Sequence, residues 1–114
     1  MGKWMVQRII YDRIINEAAI NKLYKPLKLL NSKIETIGTA NDHFDFQPNE
    51  LVKINTSYST KLKNYRVWNH SQVLVGEEGG WIEKLTATEL VLQLERNGSE
   101  QYKSVTRIYL SRSR

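Results

Sequence analysis

Cysteine is absent from this sequence of 114 residues, and histidine occurs only twice. The absence of cysteine excludes disulfide bonds, thiolate metal ligands and a cysteine nucleophile, and it leaves the cellular compartment open. No apolar run approaches the roughly 20 residues of a transmembrane helix. No signal peptide is visible at the start of the chain. The expected location is the cell envelope or the exterior if a signal has been removed, and the cytoplasm otherwise.

The sequence also lacks the patterns of common catalytic and metal sites. Its two histidines, His43 and His70, lie far apart, whereas zinc sites use three or four ligands that are often closely spaced. No Gly-x-Ser-x-Gly, glycine-rich phosphate loop or His-Glu-x-x-His motif occurs. The acidic pair Glu77-Glu78 lies among glycines, where water readily solvates carboxylates. We therefore predict a protein that is not an enzyme and that uses no metal or cofactor.

The net charge of +5 is concentrated in the first part of the chain. Residues 1–34 contain seven Lys and Arg against two acidic residues, whereas the rest of the chain is neutral. Lys22, Lys25 and Lys28 recur at every third position and predict a basic edge, which offers contact to an anionic surface. The competing interpretation is a solvated face that keeps the protein soluble.

The clearest structural pattern lies towards the end of the chain. Leu90, Leu92 and Leu94 occupy every second position and alternate with a mostly polar set, which is typical of a strand with one apolar face. The polar segment Thr86-Ala87-Thr88 before this strand predicts one hairpin connection. Arg96-Asn97-Gly98-Ser99 after it predicts another, because Asn-Gly accepts the positive φ of a tight turn. Three consecutive antiparallel strands are therefore expected.

The first third of the chain gives a less regular pattern. Residues 5–15 are rich in β-branched and aromatic side chains, which favours a strand over a helix. Residues 16–32 are interpreted as a basic insertion after this strand. A short helix is expected within it, ending near Lys25 because Pro26 cannot continue a helix.

From Lys33 onwards the sequence alternates between short strands and turns. Pro48-Asn49 and Asn69-His70 predict two-residue turns, and Gly76-Glu77-Glu78-Gly79-Gly80 predicts a loop. About eight short strands result, connected as a meander. Closure into an up-and-down barrel hides one face of such a sheet and both of its edges. We predict a single all-β domain over residues 1–114 with this architecture, and a β-sandwich is the alternative.

The order of these motifs resembles the lipocalin-like (calycin) barrels, particularly the small lipocalin-like domains of Bacteroidetes-type bacteria. Gly2-Lys3-Trp4 is similar to the Gly-x-Trp opening of the first lipocalin strand. The Phe44-Asp45-Phe46 hairpin, the strand that contains Tyr65 and the stretch from Trp81 to Leu92 complete the match. The insertion at residues 16–32 has no counterpart in these motifs.

The resemblance implies a structural role for two residues and a class of function. An arginine of the last strand is expected to lie over Trp4 and close one end of the barrel. Arg112 is the first candidate and Arg107 the alternative. The implied function is non-enzymatic binding of a small apolar or amphipathic ligand, and the resemblance also implies the cell envelope.

The aromatic residues suggest how such a ligand would be held. Apolar walls with a few polar groups are what small-molecule sites require. The candidate ligand-binding residues are Tyr65, Trp68, Trp81, Tyr109 and Arg107. The charged anchor for an anionic ligand is Arg107 or Arg66. In a barrel of this size side chains can instead fill the interior, which would leave a structural or protein-interaction module. A nucleic-acid-binding barrel is favoured least, because the predicted sheet region is neutral.

Overall fold

The computed structural model describes residues 2–15, 32–56, 59–97 and 102–112, and this part of the chain consists of strands, turns and loops. The predicted helix and the lysines of the insertion, Lys22, Lys25 and Lys28, lie outside it. No helix that could span a membrane occurs among the described residues. These residues form nine strands: β1 (Gly2–Ile15), β2 (Ser32–Ile37), β3 (His43–Phe46), β4 (Leu51–Asn55), β5 (Thr60–Trp68), β6 (Gln72–Val75), β7 (Glu78–Leu85), β8 (Glu89–Asn97) and β9 (Tyr102–Arg112).

The strands form one antiparallel sheet that closes on itself. From β3 to β9 each strand pairs with the next one along the chain, and β9 returns to pair with β1 from Trp4 to Ile15. β1 and β3–β9 therefore make a closed eight-stranded barrel, and β2 is an additional strand at the end of the sheet order. The predicted fold class, an antiparallel up-and-down barrel of about eight strands, is confirmed.

Two different strands pair with β1 along the same edge. Gly2–Met5 pairs with β3 and completes the barrel, whereas Arg8–Arg13 pairs with β2. A register shift between Val6 and Arg8 in the ladder with β9 separates the two parts. Such a bulge bends a strand and increases its twist. β2 therefore lies beside the half of β1 that follows the bulge.

The barrel interior is filled by the side chains that alternate along the strands. Leu90, Leu92 and Leu94 of β8 are all buried, as their period of two predicts. Burial of each such leucine contributes about 1.5–3 kcal/mol. The buried cluster around them contains Trp4, Val6, Phe44, Phe46, Val52, Val73, Val75, Ile108 and Leu110.

The turns lie where the sequence predicts them, but the ladders leave more than two residues between the strands both at Pro48-Asn49 and at Asn69-His70. Asn69 and His70 both have positive φ, at 52° and 60°, and the Ser71 N–H donates to the Trp68 carbonyl at 3.3 Å. Asn69 and His70 thus have the positive φ of the two central residues of a type I′ turn, and three residues, Asn69, His70 and Ser71, lie between the paired Trp68 and Gln72. In the turn between β7 and β8, the Thr86 hydroxyl accepts hydrogen bonds from the Glu89 N–H at 3.0 Å and the Thr88 N–H at 3.2 Å.

The glycine-rich loop predicted over residues 76–80 is wrong in its extent. Only Gly76 and Glu77 form a turn, and β7 begins at Glu78 and includes Gly79 and Gly80. A Cβ atom at Gly80 would clash with the backbone of Gln93 on the neighbouring strand. Glycine is present there because two strands approach closely, which is a recognised reason for glycine inside a strand.

Candidate functional site

The barrel interior contains a small cavity among the residues that the structure describes. One cavity of about 150 Å³ lies among inward-facing side chains near Leu94 and Ile108, with Lys63 and Glu78 also in its lining. Drug-sized ligands occupy sites of roughly 300–1,000 Å³. The cavity is therefore smaller than the sites that drug-sized ligands occupy.

Tyr65 faces inward and forms part of this packed interior. Its ring meets the Phe46 ring edge-to-face with centroids 5.0 Å apart, and its hydroxyl donates to the Gln47 carbonyl at 3.0 Å. A buried tyrosine commonly satisfies its hydroxyl in this way. Tyr65 therefore joins β5 to the end of β3 and does not line the 150 Å³ cavity.

The other candidate ligand-binding residues lie on the outer face. Trp68 pairs with Gln72, Gln72 with Trp81, and Trp81 with Gln93, so these side chains form a row across four strands. Arg107 continues the row on β9 opposite Gln93, and Tyr109 is on the same face of that strand. Trp68 and Trp81 are 40% and 42% exposed. The five residues consequently do not meet in one cavity, because Tyr65 is separated from the others by the barrel wall.

Arg107 is held by neighbours on the outer face. Its Nε donates to Glu83 at 2.9 Å and an Nη donates to the Gln93 side chain at 2.8 Å. The hydrogen bond to Glu83 raises the pKa of the Arg107 guanidinium above its usual value. Tyr109 is covered by another cation, since the Arg8 guanidinium lies 4.2 Å from the ring centroid. Both residues are thus engaged within the protein itself.

A groove on the outer wall combines an exposed aromatic ring with an arginine side chain. Arg66, Trp68 and Leu74 line a depression of about 360 Å³, which we call the outer groove. Arg66 and Leu74 are directly opposite on β5 and β6, and Trp68 lies two residues along from Arg66 on the same face. Among the residues that the structure describes, no carboxylate forms an ion pair with Arg66. The guanidinium is therefore available to a ligand.

A larger depression of about 490 Å³ lies near the bulge of β1. Met5, Gly38 and Ala40 contribute to its lining together with polar residues and Arg112. It contains no exposed aromatic ring, and its Arg112 is already placed over a core residue. Its chemistry is less suited to a specific ligand than that of the outer groove.

Trp4 and Arg112 form the pair that the lipocalin resemblance implies. Trp4 is 1% exposed, and the Arg112 guanidinium lies 4.0 Å from its ring centroid. The two residues are opposite each other in the ladder between β1 and β9. A cation over an indole contributes about 0.5–2 kcal/mol. This pair stabilises the strands that close the barrel.

Three residues that line the groove or the interior cavity were not predicted from the sequence: Leu74, Lys63 and Glu78. Leu74 is hidden in the apolar run Val73-Leu74-Val75, and only its parity with Gln72 indicates that it faces outward. Lys63 and Glu78 line the interior cavity although they are charged. The sequence predicts Glu78 to be a solvated loop residue, whereas in the structure it is half-buried in β7.

The histidines and the comparisons with known proteins assign no activity. The Nδ1 atom of His43 lies 2.9 Å from the Asn41 carbonyl, and His70 belongs to the turn after β5. Within the described ranges no three His, Cys, Asp or Glu residues are grouped as metal ligands. No family model, curated protein or solved structure matches this chain significantly.

Proposed function

We propose that the protein is a non-enzymatic binding protein whose ligand, a small amphipathic anion, is held in the outer groove. The observation that carries this proposal is the position of Arg66, whose guanidinium has no ion pair among the described residues and lies beside the exposed ring of Trp68 and the side chain of Leu74. The sequence suggested the same ligand chemistry, but for a site inside the barrel.

The three side chains supply complementary contacts. A guanidinium presents several N–H donors in a planar arrangement that fits a carboxylate, sulfonate or phosphate group. Trp68 and Leu74 offer apolar surface to the rest of the ligand. Because the groove is open, both the ligand and Arg66 keep part of their hydration. We therefore expect modest affinity, with a Kd in the micromolar to millimolar range.

The position of the outer groove distinguishes this proposal from ligand binding inside a lipocalin barrel. We propose that the chain is related to the lipocalin-like (calycin) domains of Bacteroidetes-type bacteria, which its motif order and the Trp4–Arg112 pair support. The small interior volume also supports a second candidate function, a structural or protein-interaction module without a small ligand. In both cases the functional surface is the outer wall of the barrel.

Titration with anilinonaphthalene sulfonate tests the outer groove, because this probe combines an aromatic body with one anionic group. We expect saturable fluorescence enhancement in the folded protein. Arg66→Gln and Trp68→Ala should each weaken binding by about tenfold, which is the size of one charge-assisted hydrogen bond or one aromatic contact. An uncharged naphthalene probe should bind weakly and should be insensitive to Arg66→Gln.

Two control variants separate this site from other surfaces. Arg96→Gln removes an exposed arginine that does not line the groove and should leave probe binding unchanged. Thr106→Leu reduces the 150 Å³ interior cavity, which Thr106 lines. Loss of binding in Thr106→Leu but not in Arg66→Gln would place the ligand inside the barrel. Absence of saturable binding would favour the protein-interaction module.

A further inference from the structure

β2 presents an unpaired edge in the part of the chain that the structure describes. It pairs with β1 on one side and is the terminal strand of the sheet order on the other. Its apolar side chains are unusually exposed, with Ile34 at 59% and Ile37 at 65%. Open edges with exposed apolar side chains are templates for pairing with another strand.

The alternation of hydrogen-bonded and non-hydrogen-bonded pairs along β2 determines which of its peptide groups face this edge. The Gly38 N–H donates to the Gln7 carbonyl at 2.9 Å, so Gly38 and Gln7 are a hydrogen-bonded pair. In an antiparallel ladder such pairs alternate with pairs that do not exchange hydrogen bonds. Thr36 and Ile34 therefore direct their peptide groups towards β1. The N–H and C=O groups of Lys33, Glu35 and Ile37 point away from it.

We propose that this edge pairs antiparallel with the same edge of a second copy of the chain. Only peptide groups that face outward can exchange hydrogen bonds with the partner subunit. Lys33 and Glu35 must therefore pair with residues of the partner subunit that belong to the same outward-facing set of Lys33, Glu35 and Ile37. One register places Lys33 opposite Glu35 of the partner subunit and Glu35 opposite Lys33 of the partner subunit. Ile34 then lies opposite its own copy on the two-fold axis, and both cross-strand pairs join opposite charges.

The neighbouring registers are less favourable. Shifting the partner by two residues in one direction places Glu35 opposite its own copy, and shifting it in the other direction places Lys33 opposite its own copy. Like charges directly opposite each other destabilise a ladder. The favoured register is self-complementary and closes after two chains, so it forms a dimer and no fibre.

The size of the edge sets the expected affinity. β2 has six residues, and a pairing between two such strands buries less than the roughly 1,200 Å² of a standard interface. The dimer should therefore be weak, with dissociation in the micromolar to millimolar range. Sedimentation velocity over that concentration range is the appropriate measurement.

Charge variants test the register directly. Lys33→Glu creates a strand with two acidic residues, and Glu35→Lys creates one with two basic residues, so each variant alone should associate about tenfold more weakly than the original chain. An equimolar mixture of the two variants should associate again, because each acidic position now faces a basic one. Circular dichroism of each variant establishes that the barrel is folded, and restored association in the mixture separates the register from loss of the ion pair between Arg8 and Glu35, 3.4 Å apart, which Glu35→Lys also removes.

Glu35→Pro provides an independent test. It removes an N–H group that faces outward while leaving the hydrogen bonds between β2 and β1 intact, so it should abolish association in a folded protein. A chain that is monomeric throughout the concentration range overturns the proposal. Association that none of these substitutions affects also overturns it, because a different surface is then responsible. Capture of an extended peptide from another protein by a monomeric chain would assign the edge to a different partner.

Discussion

Gly79 and Gly80 are neighbours in β7, yet their Cα atoms have different surroundings. A Cβ atom at Gly80 would clash with the backbone of Gln93, whereas one at Gly79 would make an ordinary contact of 3.9 Å with the Leu74 side chain. We expect Gly80→Ala to destabilise the protein by about 3 kcal/mol or more, because the β7 and β8 backbones must separate. Urea denaturation followed by tryptophan fluorescence measures the change.

Gly79→Ala is the matched control for this prediction. Gly79 has no positive φ that a Cβ atom would strain. Alanine restricts the unfolded chain more than glycine does, so Gly79→Ala should be neutral or stabilise the protein by up to about 1 kcal/mol. Similar destabilisation by both substitutions would contradict the close approach of β7 and β8 as the reason for Gly80.

The hairpin between β5 and β6 holds two non-glycine residues at positive φ, and His70 tolerates this conformation less well than Asn69. His70 adopts a φ of 60° in the second central position of the turn. The left-handed region costs non-glycine residues about 1–2 kcal/mol, and Asn-Gly is the preferred sequence for this turn. His70→Gly should therefore stabilise the protein by about 0.5–1 kcal/mol, after the larger entropy of unfolded glycine is subtracted.

Chemical denaturation of His70→Gly beside Asn69→Gly checks this explanation. Asparagine tolerates positive φ better than histidine, so Asn69→Gly should change stability less. Trp68 lies at the end of β5, directly before this hairpin. Because His70→Gly preserves the turn, ligand binding in the outer groove should be retained in this variant. Destabilisation by His70→Gly would show that the imidazole makes a contact that outweighs the backbone strain.

Individual strands were predictable where alternation and turn residues agreed, as in β8 and at Asn69-His70. Prediction failed where one residue type serves two purposes. The glycines at 79 and 80 indicated a loop, but they permit close strand approach within β7. The placement of the candidate site residues could not be predicted for a related reason, because alternation separates two faces without stating which one is inside. Tyr65 and Trp68 are three residues apart on β5 and consequently lie on opposite sides of the wall.

At the scale of the whole molecule, the closed barrel and β2 differ in how their hydrogen bonds are protected. β8 lies between β7 and β9 and carries the buried residues Leu90, Leu92 and Leu94. Its amides should exchange with solvent only when the whole barrel unfolds, at a free energy of about 5–15 kcal/mol. β2 has a neighbour on one side only among the described residues, and its side chains are exposed, so it should open locally at a much lower free energy.

Hydrogen–deuterium exchange at a protein concentration below the dissociation constant of the proposed dimer measures this difference. The N–H groups of Lys33, Glu35 and Ile37 face the open edge and should exchange fastest, those of Ile34 and Thr36 more slowly, and those of β8 slowest. Raising the protein concentration should protect the first set selectively, since pairing engages those groups and leaves β8 unchanged. Among the described residues β2 is bonded only to β1, and such an edge strand cannot match the protection of a strand bonded on both sides. Equal protection of β2 and β8 in the dilute protein would therefore make β2 a part of the same cooperative unit as the barrel.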